Sequence, residues 1–298
     1  MATLYTHQGE NIRKTWFLMT AFLVVVVAIG FFISRYYGNP NILYGFVIFS
    51  VLMNIVSYWY SDKIALSLAK AHLATREQYF DLYTIVENLA ITAGLPTPRI
   101  YVIEDPSPNA FATGRDKKHA VVAVTTGLLS IMNKTELEGV LAHEMSHIGN
   151  RDMLVATVAV VLAGFVSIVS DMFMRSMIFG GSRDDDNRGG GVLAIVGIIL
   201  AIFAPLFASL LQLAISRKRE YLADASGALL TRYPEGLASA LEKISQYGRP
   251  MKVQSKAIAH LYIASPTGSG AFAKKVGNLF STHPPVEERI KRLREGLN

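Results

Sequence analysis

"VLAHEMSHIGNRD" (residues 140–152) sets His143 and His147 four positions apart with Glu144 beside the first, and it runs directly into "MLVATVAVVLAGFVSIVS" (153–170). The fold turns on how this junction is read. On a helix, residues i and i+4 lie on one face, so both imidazoles can offer a ring nitrogen to one ion. In zinc sites such nitrogens stand about 2.0–2.1 Å from the metal. Glu144, one position round, would lie near that ion without ligating it, the place for a base that takes a proton from activated water. Upstream, "TELE" (135–138) predicts a capping box, Thr135 accepting from the amide of Glu138 while Glu138 reaches back, which places the histidines inside a helix. The alternative is a pair of structural histidines with no metal.

A catalytic zinc wants three protein ligands and one open position. Glu220, in "SRKREYLADASGA" (216–228), lies just past the last long hydrophobic run as His147 lies just before the third. If those runs form an antiparallel hairpin, Glu220 returns opposite the histidine pair. Asp224, one turn on, can orient a ligand histidine through its other ring nitrogen. Read alone, Glu220 is an exposed juxtamembrane charge balancing Arg217 and Arg219; the histidine pair turns the reading toward a ligand.

Charged residues make up 17% of the 298 positions, below the roughly 25% usual for soluble proteins, while 51% are hydrophobic. That deficit points to a membrane. The formal charge of +6 is spread along the chain with no polybasic tail, so nucleic acid is not an expected partner, and anionic lipid is the simpler one. The chain has no cysteine, which excludes disulfides, a thiolate nucleophile and Cys-type zinc sites.

Four nearly uncharged runs stand out: Trp16–Ile33, Ile42–Tyr60, Met153–Ser170 and Val192–Ile215. Each approaches the ~20 residues that cross a bilayer as helix. The first pair turns at "RYYGNPN", and the first run is too long for a signal peptide core. The second pair is joined by "GGSRDDDNRGGG" and is read as spanning, with a partly embedded or buried hairpin as the alternative. Arg13, Lys14, Lys63, Lys70, Arg76, Arg151, Arg217, Lys218 and Arg219 all fall on one side, which the positive-inside rule makes cytosolic.

The expected fold class is therefore a mainly α membrane protein, four transmembrane helices carrying a cytosolic α+β domain with a small β-sheet, which the resemblance given below implies is a zincin-like protease domain. Residues 1–61 form the first hairpin, 62–152 the first part of the cytosolic domain, 153–215 the second hairpin and 216–298 the rest. Asp62–Ala93 reads as one helix ended by Gly94 and Pro96, and "RIYVIE" and "HAVVAVTT" read as strands. His7, His72 (placed on a helix), His119 and His260 read as structural or solvated. His283 in "STHPPVEERI", fixed by two prolines ahead of a charged helix, reads equally as a turn residue or as a donor to an oxyanion.

"LAHEMSHIGNRD", "SRKREYLADASGA", "NAFATG" and "STHPPVEERI", in this order and with hydrophobic hairpins before and between them, resemble the HtpX membrane protease family, relatives of the CAAX prenyl protease. The likeness covers nearly the whole chain and shows no departure at the ligand or base positions; residues 180–191 are least like the family. It implies a zinc endopeptidase holding one Zn2+ per chain through His143, His147 and Glu220, with Glu144 as general base and Asp224 in support. It implies that Asn109, Ala110, Phe111 and Ala112 line the substrate, where an edge strand can hold an extended peptide by backbone pairing. It also implies misfolded or damaged proteins as substrates, in quality control and stress response at a bacterial cytoplasmic membrane with the site facing the cytosol. A prenyl-protein endoprotease and a non-proteolytic membrane assembly factor are the competing functions, separable by a lipidated peptide and by whether Glu144 is replaceable.

Overall fold

The computed structural model describes residues 4–159, 161–162, 217–247, 249–252, 258–264 and 284–296. Helices α1 (Leu4–Tyr37) and α2 (Pro40–Leu68) form the first hairpin. Gly38 takes the left-handed φ of 63° that closes the turn. Asn39 then caps α2 by accepting from the amide of Asn41, and Pro40 opens the helix where an amide hydrogen would go unused. Gly9–Tyr37 and Pro40–Leu68 are each 29 residues and apolar enough to cross a membrane. At 1.5 Å per residue that is about 44 Å, more than the roughly 30 Å of a hydrocarbon core. Trp16, Phe17, Val24, Phe32, Ile48 and Leu52 face outward. Leu18, Phe22, Val25 and Val26 instead pack on Leu154, Val155, Val158 and Leu162, so the start of the third hydrophobic run, helical at 152–159 (α6), lies along α1. The rest of that run, the fourth run and residues 180–191 lie outside the described residues, and with them the expectation of four spans.

The helix expected over 62–93 is broken. Lys70 adopts φ 52°, ending α2, and residues 72–74 are claimed by the sheet: β1 (His72–Leu73) pairs antiparallel with β2 (Arg99–Ile103), and Ala74 donates to the carbonyl of Ile100. His72 is thus a strand residue. A new helix, α3 (Phe80–Ala93), ends as read, at Gly94 in the left-handed conformation.

β3 (Ala110–Thr113) and β4 (Val121–Thr125) complete a sheet of order β1-β2-β4-β3, with β2 and β4 parallel and β3 at an edge. Strand alternation splits its side chains between two layers. Beyond β4 the short helix α4 (Thr126–Ile131) leads into α5 (Lys134–Asn150), and Ile100, Val102, Ala110, Ala112, Val122 and Val124 meet α3 and α5. Ile103, Phe111, Val121 and Ala123 meet the end of α2 and residues 258–262.

α5 starts two residues earlier than the expected cap. The Asn133 side chain accepts from the Glu136 amide and the Glu136 carboxylate accepts from the Asn133 amide, both at 2.9 Å. The chemistry is the one expected of Thr135 and Glu138, moved upstream. Asn is the better N-cap, and the Glu136 carboxylate is also held by Lys243 at 2.6 Å and Ser239 at 2.7 Å. Those two residues belong to α8 (Pro234–Tyr247), which with α7 (Arg217–Thr231) and α9 (Val286–Glu295) closes the domain over α5.

Candidate metal centre

His143, Glu144 and His147 lie in α5, and α7 crosses that helix at close range. The crossing needs Gly227: a Cβ there would stand 3.0 Å from the amide nitrogen of His143. Glu220, Asp224 and Gly227 share one face of α7 by their i, i+4, i+7 spacing, so the approach at Gly227 carries both carboxylates to the histidines.

His143 Nε2 and His147 Nε2 are 3.2 Å apart. Glu220 Oε2 stands 3.9 Å from the first and Glu220 Oε1 3.6 Å from the second. Ligands about 2.1 Å from a tetrahedral ion are separated by about 3.4 Å, so the spacing of these three donors fits zinc. Two imidazoles and one carboxylate are also the donor set of catalytic zinc sites.

Each histidine leans on a carboxylate through its other ring nitrogen. His143 Nδ1 lies 3.0 Å from Asp224 Oδ1, off the line of an ideal hydrogen bond. His147 Nδ1 lies 3.2 Å from Asp152 Oδ2. Asp152 was not among the residues expected to serve the site. Had α5 continued, residue 152 would sit five positions past His147 on the opposite face; Arg151 takes a left-handed φ of 59°, ends the helix and folds Asp152 back. Nothing in the sequence announces that conformation at an arginine.

Arg289, also unanticipated, is wholly buried under Asp224. Its Nε and Nη2 donate to the two carboxylate oxygens at 2.9 and 2.7 Å, and its Nη1 donates to the carbonyl of Ile263 at 3.3 Å. Nη1 also lies 3.9 Å from Glu220. A signal for it was present: Val286, Arg289, Ile290 and Leu293 follow the i, i+3, i+4, i+7 spacing of a buried stripe, which puts a charge where the helix faces its core.

Burial pushes the Glu144 carboxyl up to about 7; the neighbouring Glu220 adds to this and His147 partly offsets it. For His147, burial alone would lower the pKa, but the hydrogen bond to Asp152 and the Glu220 charge raise it to about 9. His143 is lowered, chiefly by burial. At Asp224 burial is outweighed by Arg289 and His143, which bring the carboxyl down to about 2.

The four residues expected to line the substrate are all buried and divide in three ways. Ala112 reaches the site, its amide bonding the Glu144 carboxylate. Phe111 points to the opposite layer, its ring centroid 5.1 Å from that of Tyr262. Asn109 and Ala110 are tied to residues 263–264: Asn109 Nδ2 donates to the Ala264 carbonyl at 2.9 Å, and the Ala110 carbonyl accepts from Ile263 at 2.9 Å. His283 lies outside the described residues.

Residues 76–296 match the model of peptidase family M48. The chain is 49% identical over 298 residues to a protease HtpX homolog of Caldanaerobacter subterraneus subsp. tengcongensis, covering 98% of this chain and 97% of that one. A protease HtpX homolog of Thermoanaerobacter pseudethanolicus is 50% identical over the same coverage. One from Thermococcus kodakarensis is 46% identical over 284 residues, covering 95% of this chain and 94% of that one. Among solved structures, the crystal structure of S. mikatae Ste24p shares the fold with a TM-score of 0.52 at 17% identity, over 97% of this chain and 67% of that one. Near-complete alignment at such identity, over a helix pair that brings two imidazoles and a carboxylate to one point, makes this chain a member of peptidase family M48 and a membrane metalloprotease.

Proposed function

We propose that the protein is an integral zinc endopeptidase that cuts misfolded or damaged membrane and other proteins at the cytosolic face of a bacterial cytoplasmic membrane, in quality control and stress response. The observation that carries the reading is the convergence of His143 Nε2, His147 Nε2 and the Glu220 carboxylate, with Glu144 beside them. The HtpX names of the relatives and the two membrane-length helices support the substrate class and the setting.

His143 and His147, through Nε2, and Glu220, through its carboxylate, hold the ion. Zinc bound there polarises the scissile carbonyl and makes water acidic enough to lose a proton near neutral pH. Asp152 accepts from His147 Nδ1 and Asp224 faces His143 Nδ1, which favours the tautomer that leaves each Nε2 lone pair facing the site. Glu144 takes the proton of the attacking water on its carboxylate and delivers it to the nitrogen of the departing amine. Its burial suits the task, since a carboxyl near 7 both accepts and returns a proton at neutral pH, and a neighbouring cation favours the ionised form that must act first. The Ala112 amide steadies that carboxylate between the two transfers. His283 is the proposed donor to the oxyanion of the tetrahedral intermediate. An extended substrate pairs along the outer edge of β3 beside Ala112, in the segment Asn109–Ala112. The Ala110 carbonyl there is held by Ile263, so the substrate strand displaces that bond or stops short of it.

The test is cleavage of unfolded casein by detergent-purified wild type and Glu144→Gln, each stripped of metal and then resupplied with zinc. Wild type is expected to cut only with zinc, and Glu144→Gln to bind zinc while cutting roughly 10²–10⁴-fold more slowly. Equal cutting by the variant would remove Glu144 as the base. Zinc binding by both proteins with no cutting of casein or of a lipidated peptide by either would favour an assembly factor.

A further inference from the structure

Asn11 belongs to α1, ahead of its apolar run and outside the span 76–296 matched by the family model, yet it is buried in the protease half of the molecule. Its Nδ2 donates to Asp152 Oδ1 at 2.6 Å and to the carbonyl of Asn150 at 3.1 Å. Its Oδ1 accepts from Arg219 Nη1 at 3.3 Å. Two acceptors on one side and a guanidinium on the other leave one orientation for the amide, because the flipped form would set its oxygen against a carboxylate and a carbonyl. The other oxygen of Asp152 is the one facing His147 Nδ1.

We propose that Asn11 is a positioning residue of the metal centre, by which the first membrane helix fixes Asp152 and, through it, the His147 ring. A carboxylate held at one oxygen by a single histidine can swing about its side-chain torsions. Asn11 clamps the second oxygen, so that Asp152 presents Oδ2 to Nδ1 and His147 turns Nε2 toward Glu220. Arg219, one residue before Glu220, closes the circuit: its Nε lies 3.9 Å from Asp152 Oδ1, and its Nη1 holds the amide. The start of α1, the break after α5 and the first turn of α7 are thereby locked in one polar knot beside the donors. A neutral amide suits the place, since it donates twice to acceptors without adding a charge at the membrane boundary.

The inference rests on the metal-centre reading, and its test separates the two. Zinc affinity is measured by chelator competition on detergent-purified protein, together with the visible absorption of the cobalt(II)-loaded form, which reports ligand geometry. Wild type that binds neither ion ends the metal-centre reading itself. Asn11→Leu, near in volume and without polar atoms, is expected to lose about 10–100-fold in affinity, the range for removing support from a ligand histidine, and to shift the cobalt spectrum. Asn11→Asp keeps the volume and the partner Arg219 while turning the donor into an acceptor facing Asp152; it is expected to fold and to lose affinity as well, which covers the case in which the leucine variant fails to fold. Asn54→Leu, which removes a buried amide of α2 bonded to the Ser50 carbonyl of its own helix, is the comparison and is expected to leave affinity unchanged. Wild-type affinity and spectrum in both Asn11 variants would overturn the proposal, as would an equal loss in Asn54→Leu, which would make the effect one of helix packing.

Discussion

The second membrane helix and the domain around α5 arrange their apolar residues in opposite ways. Along α2 the apolar Ile48, Val51, Leu52, Ile55 and Trp59 stand outward, while Ser50, Asn54, Ser57 and Ser61 are buried, at spacings of four, three and four that keep them on one face. Around α5 the order is reversed, with an apolar core inside and, at its centre, a knot of charged groups in which Arg289 faces Asp224 and Glu220 while Arg219 and His147 face Asp152. The same chain is built for two solvents. Where lipid surrounds it, the cheap residues are apolar and the inner contacts can be small and polar; where water surrounds it, burying charge is tolerable only in matched, hydrogen-bonded sets.

That contrast breaks most visibly at Arg289. Arg289→Met removes the sole guanidinium bonded to Asp224 among the described residues and leaves a buried carboxylate without its counter-charge, a change that costs about 3–5 kcal/mol. A fall of that size in the unfolding free energy of the metal-free protein, read from its denaturant midpoint and slope, is expected. Arg289→Lys keeps the charge but loses the two-pronged bond, and its loss is expected to fall between wild type and Met. Indifference to both substitutions would mean that the knot is not what holds α9 to α7.

The same chemical change at two exposed aliphatic residues sharpens the comparison. Val24, midway along α1, is 57% exposed, and Ile91, on α3, is 78% exposed. Were both in water, Lys would be welcome at either, within about 0.5 kcal/mol. With lipid around α1, Val24→Lys costs about 2.5–3.5 kcal/mol at the bilayer centre. Membrane integration of the nascent chain and melting in bicelles should therefore suffer for Val24→Lys and not for Ile91→Lys. Equal tolerance would show α1 to be a soluble core helix.

What was legible in the sequence follows the range of the forces involved. The helix bearing His143 and His147, strands β2 and β4, the turn at Gly38 and Asn39 and the stop at Gly94 are set by neighbours within a few residues, and periodicity and turn residues report them. The meeting of Glu220 and Asp224 with the histidines needed one further step, that two helices flanking a hydrophobic hairpin return to one depth. Asp152 and Asn11 were not legible. Asp152 depends on one backbone angle at Arg151, a residue with no special preference for it. Asn11 depends on a contact across 141 positions of chain that no local pattern encodes. The break after Leu68 was missed for a related reason, since residues 72–74 exchange helix for sheet only because the edge of β2 is there to receive them.

Titration distinguishes the two regions with the smallest expected effect. In the metal-free protein His147 holds its proton up to about pH 9, against an ordinary 6.5, because Asp152 and Glu220 favour the cation despite its burial. Its contribution to stability is therefore complete below about 6.5 and is lost as pH rises through 9. A metal must displace that proton to reach Nε2, so zinc affinity should rise about tenfold per pH unit toward 9 and then level off. Below about 7, where burial also keeps Glu144 protonated, a negative charge near the ion is lost and the slope should steepen. Chelator competition at pH 6, 7, 8 and 9 measures this. The buried Ser50, Asn54 and Ser57 of α2 do not titrate in this interval, so they add nothing to the curve. A flat curve would mean that His147 is neutral throughout, that Asp152 and Glu220 do not act on it as a pair, and that the polar knot is held by packing rather than by charge.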